Sequence, residues 1–245
     1  MVSRRGQTAR PAAAARTPGT KRVAENVNPL RAAAATPRLP QRASGRARFE
    51  LLVDATDRLL SERDAGSISL YDIADVAAVP AASVYHFFPS PAAAFVALAQ
   101  RYIAIFHDIV AEPLEHASLT GWQDVFHIKG NQARQFFNEH GVARKLFLGS
   151  EYSWQVRQAD KESNRDLAQG IAGLYEKHFE IAGAGNLVRQ IEIGFGISDT
   201  VWSLSCQRHD VITDFYAQEA ARAFDAYLGL YLPAILPRRD EALAD

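Results

Sequence analysis

The sequence predicts an all-α protein of about nine helices, a small three-helix N-terminal unit followed by a larger helical one. Three observations predict it. Apolar residues recur at three- and four-residue spacing in segment after segment from Phe49 onward, the period of a helix with one buried face. No alternating apolar–polar run is long enough to suggest a half-buried strand. The breaks between periodic segments fall at proline, glycine and capping serine or threonine, where helices start and stop.

Hydrophobic residues make up 48% of the chain, enough for a sizeable core, so most of it is expected to fold. Residues 1–44 are the expected exception, a disordered basic arm. They are rich in Ala, Pro, Arg and Thr without an amphipathic period, and Pro11, Pro18, Pro29, Pro37 and Pro40 would break any helix the alanines began. The formal net charge of -1 conceals a polarity: residues 1–48 hold eleven Lys or Arg against one acid, Glu25, so the rest of the chain is acidic. A basic arm on an acidic body points to a polyanionic partner, or to a solubilising tail.

Folding is expected to begin after Gly45. Phe49, Leu52, Val53, Thr56, Leu59 and Leu60 share one face of a helix that ends near Arg63. Ser69, with Asp72 three residues later, resembles a capping box and opens a short helix through Ile73 and Ala77. Pro80 can stand in the first turn of the next helix, which runs to Phe88 and stops at Pro89. Ser90 and Pro91 start another, carried to Glu112 by Phe95, Leu98, Tyr102, Ile103, Phe106 and Val110. Pro113 marks the expected boundary between units of 45–112 and 113–233, with a tail of 234–245. The second unit is expected to hold helices from Gly121 to Gly141, Val142 to Leu148, Gln158 to Ile181, Leu187 to Gln207 and Val211 to Leu232.

Several function classes lack their signatures. One cysteine, Cys206, allows neither an internal disulfide framework nor a multi-thiolate metal site, which fits a reducing cytoplasm. Apolar runs such as Ala92 to Ala99 fall short of the roughly 20 residues of a spanning helix. Arg4-Arg5 is not followed by the apolar core of an export signal. No membrane association and a cytoplasmic location are therefore expected. His107, His116, His127, His140 and His178 are scattered without ligand spacing, and His116 beside Glu112 and Glu115 reads as a solvated helix end, so neither metal nor cofactor is expected. No G-x-S-x-G, phosphate-binding loop or dinucleotide fingerprint follows a strand, so catalysis is not expected.

The stretch Ser67 to Pro91, SISLYDIADVAAVPAASVYHFFPSP, carries the functional signal. It holds two short helices joined by a tight connection near Ala78-Val79. Ile73, Ala74, Val79, Val84 and Phe88 can face inward together, which turns Ala81, Ala82, Ser83, Tyr85, His86 and Phe87 outward. Small residues let a helix approach base edges, and Ser, Tyr and His can donate to phosphates. This is the composition of a helix-turn-helix whose second helix enters the major groove of double-stranded DNA.

Here the sequence resembles the TetR family of transcriptional regulators, over about residues 46–106. Ser69, Ile73-Ala74, Val79 and Val84-Tyr85-His86-Phe87-Phe88 stand where that family has its Ser/Thr-led helix, its Ile-Ala pair, its turn valine and its Leu-Tyr-x-x-Phe ending. The resemblance implies a phosphate contact from Ser69 and backbone or groove contacts from Tyr71, Tyr85 and His86. It places Ala81, Ala82 and Ser83 nearest the bases, with Phe87, Arg46 and Arg48 on the same surface. Three positions depart from the pattern. Ala78 replaces the turn glycine, Pro80 the small polar residue opening the recognition helix, and Pro91 the lysine that starts the next helix. The basic arm could offset the affinity these changes remove.

In the second unit, Leu187, Ile191, Phe195, Ser198 and Trp202 form one stripe, and Phe215, Ala220, Phe224, Tyr227, Leu228 and Tyr231 another. Two such helices suit a homodimer through 187–207 and 211–232, as the family uses its last two helices, and a two-fold axis matches a pseudo-palindromic operator. The resemblance further implies a small, largely apolar effector that releases a repressor from DNA. Trp122, Phe126, Phe137, Trp154, Tyr175 and Trp202 are the candidate ligand residues, although aromatics at helical spacing more often build core than line a pocket. The rival reading is an interaction protein on the same fold with degenerate DNA binding. Charge placement separates the two: a DNA binder should gather Arg42, Arg46, Arg48 and Arg58 beside Ser83 and Tyr85, whereas acids there favour a protein partner.

Overall fold

A computed structural model describes residues 36–149, 154–181 and 186–239. Among them are nine α-helices and two short 3₁₀ turns. The helices are α1 Ala43–Glu62, α2 Leu70–Val76, α3 Ala81–Phe87, α4 Pro91–Ala111, α5 Gln123–Glu139, α6 Gly141–Leu148, α7 Trp154–His178, α8 Leu187–His209 and α9 Asp214–Leu228. The expected all-α architecture is the observed one.

The N-terminal unit folds as its apolar spacing directs. Phe49, Leu52, Val53, Thr56, Leu59 and Leu60 are the buried face of α1, and the Thr56 hydroxyl is satisfied inside it by donating to the Leu52 carbonyl at 2.7 Å. Ser69 and Asp72 close a reciprocal capping box on α2. Ser90 caps α4 through the Ala93 N–H, with Pro91 at the first helical position. Arg101 of α4 binds Glu50 and Asp54 of α1, each at 2.6 Å, and Tyr102 donates to Asp57 at 2.8 Å, so one turn of α4 clamps three acids of α1.

Several boundaries moved. α1 opens at Ala43, ahead of Gly45, and the chain before it is docked: Arg38 N–H donates to the Phe87 carbonyl at 2.8 Å. The disordered arm of 1–44 is thus corrected over 36–44, and residues 1–35 lie outside the described ones. Pro80 is the N-cap of α3 and not a residue of its first turn. α7 starts four residues before the expected Gln158. Residues 234–239, expected as tail, run back across the fold, with Glu180 N–H donating to the Pro237 carbonyl and Arg239 N–H to the His178 carbonyl.

α4 also corrects the expectation that no segment could span a membrane, since Pro91–Ala111 has the length and apolarity to do so. Its place in the fold explains that composition. Every residue from Ala93 to Ala99 is buried, and Tyr102 and Phe106 continue the buried face. One hydrophobic cluster runs from α1–α4 into Phe136, Phe137, Val142, Leu146 and Trp202, with no gap at Pro113. A second gathers Trp122, Tyr175, Phe179, Ile191, Phe224 and Leu236 beneath the C-terminal residues. Asn138 pins the turn between α8 and α9, its side chain bonding both N–H and carbonyl of Ile212.

Two substitutions test this packing. Ala78 has φ 53°, the left-handed conformation that favours glycine. That conformation costs a non-glycine residue roughly 1–2 kcal/mol, against about 0.5–1 kcal/mol of extra chain entropy for glycine. Ala78→Gly should therefore raise the unfolding free energy by up to about 1 kcal/mol, read as a higher urea midpoint at unchanged m-value; a lowered midpoint would contradict it. At Gly194 an added Cβ would stand 2.6 Å from the Phe224 ring, which is itself stacked on Phe126 at 3.6 Å. Gly194→Ala should cost about 1–3 kcal/mol. Gly173→Ala, where nothing lies within 4 Å, should instead stabilise by helix propensity.

Candidate nucleic-acid interface and interior cavity

α2 and α3 form a helix-turn-helix through the tight turn at Ala78-Val79, where Val79 N–H donates to the Ala74 carbonyl at 3.0 Å. Ile73, Ala74, Val84 and Phe88 are buried beneath it, as the spacing requires. The opposite face of α3 exposes Ala82, Tyr85 and His86, with Ala81 and Ser83 half-buried. Tyr71 and Tyr85 meet edge to face at 6.0 Å on this surface, and the neighbouring Tyr71 hydroxyl raises the Tyr85 phenol above its ordinary pKa.

A shallow groove lies along α3, lined by Arg38, Arg42 and Arg48 together with Ala82, Ser83 and His86. No acid belongs to its wall. Arg46 is exposed one turn away and bonds the Gln41 carbonyl. Arg58 does not join the group, because it pairs with Glu62 farther along α1.

Two expected site residues are less exposed than Tyr71, Ala82, Tyr85 and His86 on this surface. Phe87 is turned largely inward: it is 5% exposed and packs edge-on against Phe49, with only its edge reaching the groove wall. α3 is short, and its last turn must close over the α1 face, so both Phe87 and Phe88 are drawn inward. Ser69 is half-buried, and its hydroxyl donates to Asp72, whose carboxylate also accepts from the Ser69 N–H. Those bonds, with Arg63 at 2.8 Å, hold the Asp72 carboxyl far below the usual carboxylate range. In this structure the Ser69 hydroxyl serves the capping box of α2.

A second feature lies inside the larger unit, a cavity of about 100 Å³ between α4, α5, α6, α7 and α8. Phe126, Phe137 and Trp202 line it, as expected of them; Trp122 and Tyr175 do not. Those two are core, in contact with each other, and the Trp122 indole donates to the Pro233 carbonyl at 3.0 Å. The side chain of Trp154 lies outside the described residues. The cavity also draws in Phe106, Phe147 and Phe195, which the sequence offered only as core, and two acids it did not single out, Asp160 and Asp199. Asp160 stands between Val156, Ser163 and Leu167 on the buried stripe of α7, and an acid interrupting that stripe was the available signal.

Burial pushes the Asp160 carboxyl up to about 6, and burial together with Asp160 pushes Asp199 up to about 8. Both shifts favour the protonated form in the fold. Their contribution to stability is whole below the ordinary carboxylate pKa and is lost as pH rises toward 8.

His116 is not a solvated helix end, since its ring stacks on His178, with the two Nδ1 atoms 3.1 Å apart. Burial and this neighbour hold His178 below its ordinary pKa. Among the described residues no group of three or more His, Cys, Asp or Glu could hold a metal ion.

The α8 stripe expected at a dimer interface is also redirected. Leu187, Ile191, Ser198 and Trp202 are buried within this chain, as are Ala220, Phe224 and Leu228 of α9. The apolar residues these segments leave exposed are Ile193, Leu204, Val211, Phe215, Leu230 and Tyr231.

The fold and α2–α3 geometry define the helix-turn-helix class of DNA-binding architecture. Residues 52–98 match the family model of the bacterial regulatory proteins of the tetR family. The helix-turn-helix segment thus carries the match to that family, and the chain as a whole has the fold of its solved members. A TetR-family transcriptional regulator from Streptomyces coelicolor is 22% identical, with a TM-score of 0.59 over 77% of this chain and 99% of that one. A TetR transcriptional regulator from Rhodococcus sp. RHA1 is 19% identical, with a TM-score of 0.57 over 76% and 97%. SmeT, the repressor of the Stenotrophomonas maltophilia multidrug efflux pump SmeDEF, is 14% identical, with a TM-score of 0.55 over 79% and 91%. No curated protein matches the chain.

The acid pair yields a pH prediction. Asp160→Asn/Asp199→Asn should melt at a higher temperature than the parent at pH 8.5, with the difference shrinking steadily toward pH 5. Parallel melting curves across that range would show that the carboxyls titrate as ordinary exposed groups.

Proposed function

We propose that this protein is a DNA-binding transcriptional regulator, a cytoplasmic homodimeric repressor released by a small, largely apolar effector. The observation that carries the reading is the groove along α3, where Arg38, Arg42 and Arg48 flank Ala82, Ser83 and His86 without an acid. Small side chains there admit the helix to base edges, while the arginines and the Tyr71–Tyr85 pair supply phosphate contacts on either side. Arg46, one turn away, extends the positive surface.

Residues 45–112 are assigned to DNA binding and 113–233 to effector binding and dimerisation, with α8 and α9 meeting their symmetry mates through the exposed set around Ile193, Leu204 and Phe215. Two-fold symmetry then presents two recognition helices to a pseudo-palindromic operator. The cavity supports the effector role, lying between helices and walled by aromatics with a few polar groups. Among proteins of this fold, SmeT is named as a repressor and FrrA as flavonoid-responsive, which agrees with both parts.

One observation favours the rival reading of a protein-binding module: the N-cap of α3 is Pro80, which offers no side-chain bond. A salt titration of binding to the chain's own upstream DNA, against scrambled duplex, separates the two. Each phosphate contact contributes about -0.9 to the slope of log K against log salt. Arg38→Ala/Arg42→Ala/Arg48→Ala should flatten that slope by roughly 2–3 and weaken binding to both duplexes. Sequence-independent binding by the parent chain, or a slope the triple variant leaves unchanged, would contradict the proposal.

A further inference from the structure

The interior cavity combines two chemistries that seldom share a wall. Phe106, Phe137, Phe147, Phe195 and Trp202 give it an aromatic lining, and Asp160 from α7 and Asp199 from α8 bring two carboxyls into it. Neither carboxyl has a hydrogen bond or ion pair to any described residue. The one cationic side chain in the wall cannot serve them: the Lys129 ammonium is committed to the Ile109 and Glu112 carbonyls, at 2.6 and 2.7 Å, capping the end of α4.

Two further polar groups in the same wall lack partners. The Ser198 hydroxyl and the Trp202 indole N–H are each buried with no hydrogen bond, on residues 2% and 6% exposed. Buried polar groups are almost always satisfied, so two orphaned donors, Ser198 and Trp202, beside two unpaired carboxyls mark a place where a ligand completes the bonding.

We propose that the cavity is the receptor for a small organic monocation, an aromatic or similarly apolar body carrying one ammonium group that Asp160 and Asp199 hold between α7 and α8. The proposal rests on the reading of this cavity as the effector site and names the class of effector. The aromatic walls suit such a ligand twice, burying its apolar body and placing π faces near its charge. The charge count agrees, because near neutral pH the pair retains a proton, with Asp199 pushed up to about 8 and Asp160 to about 6. One remaining negative charge matches a monocation. A cavity of about 100 Å³ suits a ligand no larger than a single ring with a short arm.

Calorimetric titration of the full chain at pH 7.5 with benzylammonium, benzyl alcohol and benzoate tests the charge while holding the ring constant. Benzylammonium should bind at least about tenfold more tightly than benzyl alcohol, a difference of about 1.4 kcal/mol, and benzoate should not bind. Asp160→Asn/Asp199→Asn should bring the ammonium down to the affinity of the alcohol, whose retained binding shows the cavity intact; Asp199→Glu should restore part of the preference. If the alcohol matches the ammonium, or the double variant binds the ammonium unchanged, the cation proposal is overturned while the apolar-effector reading stands. If no probe binds a chain that still binds its upstream DNA, both the cation and the effector readings fall.

Discussion

The structure depends on one constraint: α4 must be buried along two different neighbours at once. Its first half, Ala93 to Ala99, is packed into the N-terminal unit, while Ile103, Phe106, Ile109 and Val110 of its second half wall the cavity. Small residues at the first end let α1 and the helix-turn-helix close tightly around it. The Arg101 and Tyr102 bonds to Glu50, Asp54 and Asp57 then fix its rotation against α1. A helix held this way moves as a rod, because packed cores have discrete arrangements and do not deform continuously. Ser90 and Pro91 join its start to the end of α3, so a change in cavity width at Phe106 would be carried along α4 to the surface that bears Ser83 and His86.

Electrostatics divides the labour along the same axis. The arginines at the start of the described chain gather at the outer face of α3, and the docking of Arg38 onto the Phe87 carbonyl holds them there. The unpaired acids lie at the opposite end of α4, inside the cavity. Keeping two carboxyls without partners in an aromatic wall lowers the stability of the empty chain as they ionise. Lys129 shows that the fold can satisfy a buried ammonium when carbonyls are in reach; Asp160 and Asp199 have no such partner among the described residues.

The all-α fold, the order of the helices and the buried face of α1 were legible because periodicity and caps are local signals. Ser69, Asp72, Ser90 and Pro91 each do in the structure what their spacing implied, and Ala78 takes the positive φ suited to the turn glycine it replaces. The features that were not legible depend on distant partners. Phe87 turned inward because α3 is too short to keep its last turn off α1, a fact of tertiary packing. Trp122 and Tyr175 are indistinguishable in sequence from Phe137 and Trp202, and only the course of residues 229–239 decides which are covered. His116 and His178, separated by 62 residues, meet through that same closure. Asp160 and Asp199 were visible as acids on apolar stripes, but their convergence required the packing of α7 on α8.

The most direct test of this account is the affinity of benzylammonium for the chain free and for the chain saturated with its upstream DNA. A cavity coupled to the DNA-reading face through α4 should bind the cation at least about fivefold more weakly in the DNA complex. By reciprocity, the cation should weaken DNA binding by the same factor. Equal affinities in the two states would mean that cavity and reading face are independent, and the account of α4 as the connecting rod would be wrong.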